Sequence, residues 1–137
     1  MRALTTHIIA VTYKPKIAGV RDGSIRQTIR PGWERKVGDK VLLHGWEGRP
    51  YWSKWSWRRD EVLNCITNVI FTDEALFVVD TYDSAVGAES FLFPWCSAWV
   101  QHVSKMDGIE PATGEALKFV LEGYGAEDGD RMQILRW

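Results

Sequence analysis

At Pro94 the spacing of apolar side chains changes from every second residue to every third or fourth, which commits the first two-thirds of the chain to sheet and much of the rest to helix. His7–Tyr13 (HIIAVTY) reads as a buried opening strand ended by Lys14-Pro15. Pro15 suits the first turn of a two-turn helix over Lys16–Arg21, which Asp22-Gly23 stops. Ile25, Gln27 and Ile29 then alternate with Arg26, Thr28 and Arg30, so a strand here gathers two arginines and a threonine on one face. Pro31-Gly32 breaks it, Val37-Gly38-Asp39 turns the chain, and Lys40–Trp46 (KVLLHGW) forms another strand. Val62–Phe71 and Ala75–Tyr82 make a hairpin about Thr72-Asp73-Glu74. Beyond Pro94, Trp95, Ala98, Trp99, His102, Val103 and Met106 form the stripe of an amphipathic helix, ended by Asp107-Gly108. A second helix opens near Pro111 and closes at Gly123, and Met132–Trp137 is a last strand. Early strands, two late helices and a closing strand predict an α+β fold with its sheet curled into a barrel.

A chain of 137 residues is expected to be a single domain (1–137), large enough to bury a core without covalent staples. Cys65 and Cys96 supply neither a disulfide framework nor a paired metal motif, so a reducing, cytoplasmic setting is expected, with no cofactor. The apolar patch near the N-terminus, broken by His7 and Thr12, is too short for a signal segment or a membrane span. His7, His44 and His102 are scattered without ligand spacing and read as structural or surface groups. The net charge of −1 conceals a division: residues 1–60 carry 13 Lys/Arg against 5 Asp/Glu, and residues 61–137 carry 4 against 13. Segregation of this size suggests one surface that attracts an anion such as a phosphate backbone.

Between Trp46 and Arg59 (WEGRPYWSKWSWRR) lie four of the eight tryptophans. Flat rings there accept stacked bases, at roughly 1–3 kcal/mol per base, while interleaved cations meet phosphates. Trp46, Arg49, Tyr51, Trp52 and Lys54 are therefore candidate RNA contacts, with Tyr51 and Trp52 beside Pro50 as the stacking platform. In a continuous strand Trp55 and Trp57 share one face, opposite Lys54, Ser56 and Arg58, and those two rings suit a β-rich core as well as a ligand. Lys14, Lys16, Arg26, Thr28 and Arg30 form a second candidate set, suited to phosphate or carbonyl recognition. An exposed solubility lysine is the plainer reading of Lys16.

Gly23, Gln27-Thr28-Ile29-Arg30, Val37-Gly38-Asp39 and Val41, followed by Met106-Asp107-Gly108, Tyr124-Gly125 and Ile134-Leu135-Arg136-Trp137, stand in an order that resembles the ASCH family, its phage and bacterial members in particular. The resemblance implies a PUA-like β-barrel of about five to seven strands with two or three short helices, and a cleft for RNA, a nucleotide or a modified nucleoside. Some members are ribonucleases, and one branch hydrolyses an acylated cytidine with a lysine three positions before the threonine of Thr-Ile-Arg. Here Thr28 is the candidate catalytic residue, but the lysine position holds Ile25, which has no ionisable group. An acidic partner is open among Glu61, Asp73 and Glu74. Nucleic-acid binding is thus the leading expectation. A ribonuclease or nucleoside amidohydrolase is the second, and a protein-interaction module using an exposed tryptophan patch is the third.

Overall fold

The structure, a computed structural model, describes residues 4–46, 49, 54–81 and 92–137, and of Asp80 and Thr81 only the backbone. In chain order it comprises β1 (Thr6–Ala10), α1 (Lys14–Asp22), β2 (Gln27–Pro31), β3 (Lys40–Trp46), β4 (Trp55–Val62) and β5 (Cys65–Phe71). β6 (Ala75–Thr81), β7 (Leu92–Pro94), α2 (Ala98–Met106), α3 (Gly114–Gly123) and β8 (Arg131–Arg136) follow. The fold is α+β, as the change of period requires. Its strands pair as two sheets, β1-β3-β4 and β2-β8-β5-β6-β7, and the described residues do not close them into a barrel. Among the described residues the strands number eight, not five to seven. One reason lies at Leu63-Asn64, inside a run that reads as a single strand: the Leu63 N–H donates to Asp39 O at 2.9 Å and the Asn64 N–H to Arg136 O at 2.9 Å. Successive amides thus bond to different sheets, so Val62 ends β4 and Cys65 begins β5.

Local chemistry sets the helix ends. Pro15 occupies the first turn of α1, and Gly23, at φ 88°, closes it in a left-handed conformation that costs glycine nothing. The Ser97 side chain accepts from the Val100 N–H and starts α2, later than the apolar stripe suggests, so Trp95 lies ahead of the helix. The Thr113 hydroxyl accepts from the Ala116 N–H at 3.2 Å, so α3 begins at Gly114 and not at Pro111.

The buried apolar side chains form two clusters. Val69, Phe71, Leu76, Trp95, Val100 and Leu117 fill the space between the five-stranded sheet and helices α2 and α3. Ile9, Val20, Val41, Leu43 and Leu63 fill the space between α1 and the three-stranded sheet. β8 serves both: Met132 and Ile134 enter the first cluster, and Leu135, with Trp137 just past the strand, enters the second. Its period of two therefore carries apolar side chains on both faces, the pattern of a strand buried on either side. Among the described residues no helix is long and apolar enough to cross a membrane.

Candidate functional site

Helix α1 places Lys16 one turn before Val20, on the face that packs inward, and so leaves the residue only 4% exposed. This overturns the reading of Lys16 as a solubility residue. A buried ammonium needs a partner, and Asp107, at the C-cap of α2, supplies one: Lys16 Nζ lies 3.1 Å from Asp107 Oδ2. Gln27, fully buried at the start of β2, steadies that carboxylate. Its Nε2 donates to Asp107 Oδ1 at 3.3 Å and to Val103 O at 2.9 Å, and its Oε1 accepts from Arg136 Nε at 2.8 Å. Burial lowers the Lys16 amine from its ordinary pKa. Asp107 opposes that shift and the charge of Arg30 adds to it. Ile25 is held between Gly19 and Gly108: a Cβ on either glycine would meet its side chain, and a Cβ on Gly108 would also lie 3.5 Å from Lys16 Cβ. Ile25 thus packs in the neighbourhood of a lysine from another element.

Lys16, Thr28, Arg30 and Asp107 line one cavity of about 30 Å³, and Tyr13 and Tyr124 line it with them. That space holds a water molecule and little more. Arg30 and Tyr124 also wall a neighbouring groove of about 290 Å³, which Pro31, Gly125, Ala126 and Asp130 complete. This is near the lower end of the roughly 300–1,000 Å³ typical of small-molecule sites. The Arg30 guanidinium donates to Ala10 O at 2.7 Å, which fixes it against the edge strand β1. Tyr124 is 60% exposed, and its hydroxyl lies 3.2 Å from Thr12 Oγ1.

Of the sequence candidates, Lys16, Thr28 and Arg30 meet at this cavity. Arg26 does not join them, although the alternation assigned it to their face. Its Nε donates to Trp137 O at 2.8 Å and its Nη2 lies 3.6 Å from Glu61. It lines a separate groove of about 510 Å³ with Lys40, Arg58 and Trp137. Lys14 is exposed at the start of α1, outside both the small cavity and the Arg30–Tyr124 groove. Arg49 and Lys54 are exposed, and Trp46 is half-buried beside His44. Tyr51 and Trp52 lie outside the described residues, so the expected stacking platform is not among them. Of the three acidic candidates, Glu61 pairs with Arg26 and Arg59, and none lines the cavity, whose carboxylate is Asp107. Asp107, Tyr124 and Asp130 are not among the sequence candidates: Asp107 reads there as part of a helix-stopping dipeptide and of the Met106-Asp107-Gly108 element, and Tyr124 as half of a Tyr-Gly element.

The three-stranded sheet adds an aromatic cluster at the same end of the molecule. Trp55 stacks on His44 with centroids 3.9 Å apart and planes 15° from parallel, and Trp46 meets His44 edge-on at 4.9 Å. Burial lowers the His44 pKa, and no described residue hydrogen-bonds its Nδ1. Among the described residues no three His, Cys, Asp or Glu side chains are placed to hold a metal ion. No family model matches the chain, and no curated protein or solved structure matches it either.

Proposed function

We propose that the chain is a cytoplasmic ASCH domain of PUA-like barrel type that binds a nucleotide or a segment of RNA in the groove between Arg30, Tyr124 and Asp130. One observation carries this reading. A permanently charged guanidinium and an exposed aromatic ring form the wall shared by a groove of small-molecule size and a small polar cavity. Arg30 offers donors to a carbonyl or phosphate oxygen, Tyr124 offers a face to a base, and Asp130 offers acceptors to an exocyclic amine. The family assignment rests on motif order. It gains support because Thr28, Arg30, Asp107 and Tyr124, which belong to separate motifs, converge on one cavity. A filter-binding titration of short single-stranded RNA and of mononucleotides at low salt tests the reading. Binding that Arg30→Ala with Tyr124→Ala weakens at least about tenfold supports it, on the scale of a single base stack or charged hydrogen bond. Absence of binding at low salt, or indifference to the double change, rejects it.

A hydrolase is the second reading, favoured by Lys16. An amine whose pKa burial lowers and the Thr28 hydroxyl line the same small cavity, the pairing that a base and a nucleophile require. Turnover of an acylated cytidine or of labelled RNA that Lys16→Met and Thr28→Val both abolish, and Thr28→Ser retains, supports it. Turnover that survives both changes places the chemistry elsewhere.

A further inference from the structure

The outer face of the three-stranded sheet is built unlike its inner face. Val41, Leu43 and Gly45 of β3 face the core beside α1, so Lys40, Leu42 and His44 face away from it. Strand pairing arranges that outer face in rows: Thr6, Lys40 and Val62; then Ile8, Leu42 and Asp60; then Ala10, His44 and Arg58. Ile8 is 64% exposed and Val62 is 51% exposed. A bulge extends the surface. Gly45 pairs with Trp57 and Trp46 with Trp55, which leaves Ser56 as the extra residue. An inserted residue reverses the alternation beyond it. Trp57 accordingly packs over Gly45 against the inner core, while Trp55 lies on His44 and stays 40% exposed. The two tryptophans that would share a face in a regular strand are thereby divided between core and surface.

We propose that this outer face is a track for single-stranded nucleic acid, with a base stacked on the open side of Trp55 and the adjoining phosphates drawn to Arg58 and Lys40. His44 backs the indole and holds it flat, so the stacking surface is formed before a base arrives. Among the described residues, the exposed cations Lys40 and Arg58 on the face and Lys54 at the entry to β4 outnumber the one carboxylate on that face, Asp60. Arg58 binds Asp60 through two hydrogen bonds, of 3.0 and 3.2 Å, which orients its guanidinium along the face. The track adjoins the groove proposed above. The Val11 N–H donates to His44 O at 2.9 Å, and Ala10, which pairs with His44, accepts the Arg30 hydrogen bond. This inference deepens the nucleotide reading and rests on it for polarity: the groove takes one nucleotide, and the sheet takes those that flank it.

Fluorescence anisotropy with labelled uridine oligomers of one, four and eight nucleotides, at low salt and over a salt series, tests the proposal. The octamer is expected to bind at least about tenfold tighter than the single nucleotide. Trp55→Ala is expected to weaken the octamer roughly five- to hundredfold, as loss of one stacked base does, with the single nucleotide unaffected and Trp55→Phe restoring most of the loss. Lys40→Ala with Arg58→Ala reduces the salt slope for the octamer by about one for each phosphate no longer neutralised. Thermal melting of each variant checks its fold. An octamer no tighter than the monomer, or an equal loss on both lengths, overturns the track and leaves the groove standing. Octamer binding that depends on Trp55 with no monomer binding supports the track and removes the groove. Absence of binding at any length, with a concentration-dependent dimer in sedimentation that Trp55→Ala dissociates, makes the face a contact between copies of the chain and ends the proposal.

Discussion

Lys16 and Asp107 test the site at the scale of single residues. A buried ion pair adds little net stability over a well-packed apolar pair, but removing one partner strands a charge. Asp107→Ala is therefore expected to cost about 3–5 kcal/mol in urea unfolding at neutral pH, and Asp107→Leu with Lys16→Met to recover most of it. The pH dependence has a definite sign. With its folded pKa below 10.5, the Lys16 amine binds fewer protons in the native state than in the unfolded chain between the lowered value and 10.5, so stability rises with pH across that window. Asp107 counters the lowering, so its removal widens the window. His44 behaves alike at acid pH. Burial holds its pKa below 6.5, so stability is lost as pH falls from 6.5 through the lowered value. Melting temperatures between pH 7.5 and 5 should decline in the native chain and decline less in His44→Gln; equal slopes would show that His44 does not carry the effect.

Elements were legible where their signal is local. The strands at Lys40–Trp46 and Ala75–Thr81, the helix after Pro94 and the final strand all follow from periodicity and turn residues within a dozen positions. What depended on distant partners was not legible. Whether Val62 continues into Cys65 is decided by Asp39 and Arg136, and the direction of Trp55 by a bulge whose register belongs to two strands together. The burial of Lys16 had a local trace, its i to i+4 relation to Val20, but the partner that makes burial tolerable lies 91 positions away. The bulge yields its own prediction. A Cβ on Gly45 would collide with the Trp57 indole, so Gly45→Ala should cost about 1–3 kcal/mol as overpacking does. Adding Trp57→Leu should return part of that loss in the same unfolding assay. A strictly additive pair would mean that the two do not share the space.

At the scale of the whole molecule, two sheets and two apolar clusters are joined through the last strand. β8 lies between β2 and β5 and sends Ile134 into one cluster and Leu135 into the other. Deleting residues 131–137 should abolish cooperative unfolding and near-ultraviolet circular dichroism, whereas a chain that still melts cooperatively would show that the clusters are independent. The same closure brings the start of the chain, with Lys16 and Arg30, against Asp107 and Tyr124 from its later part, so the site exists only in the assembled fold. A double-mutant cycle on Arg30 and Tyr124, read as affinity for a short single-stranded RNA, tests most directly whether those two residues act on one ligand. A shared groove predicts that each change weakens binding and that the pair departs from additivity by at least about 0.5 kcal/mol. Additive losses, or binding that neither change alters, would contradict it.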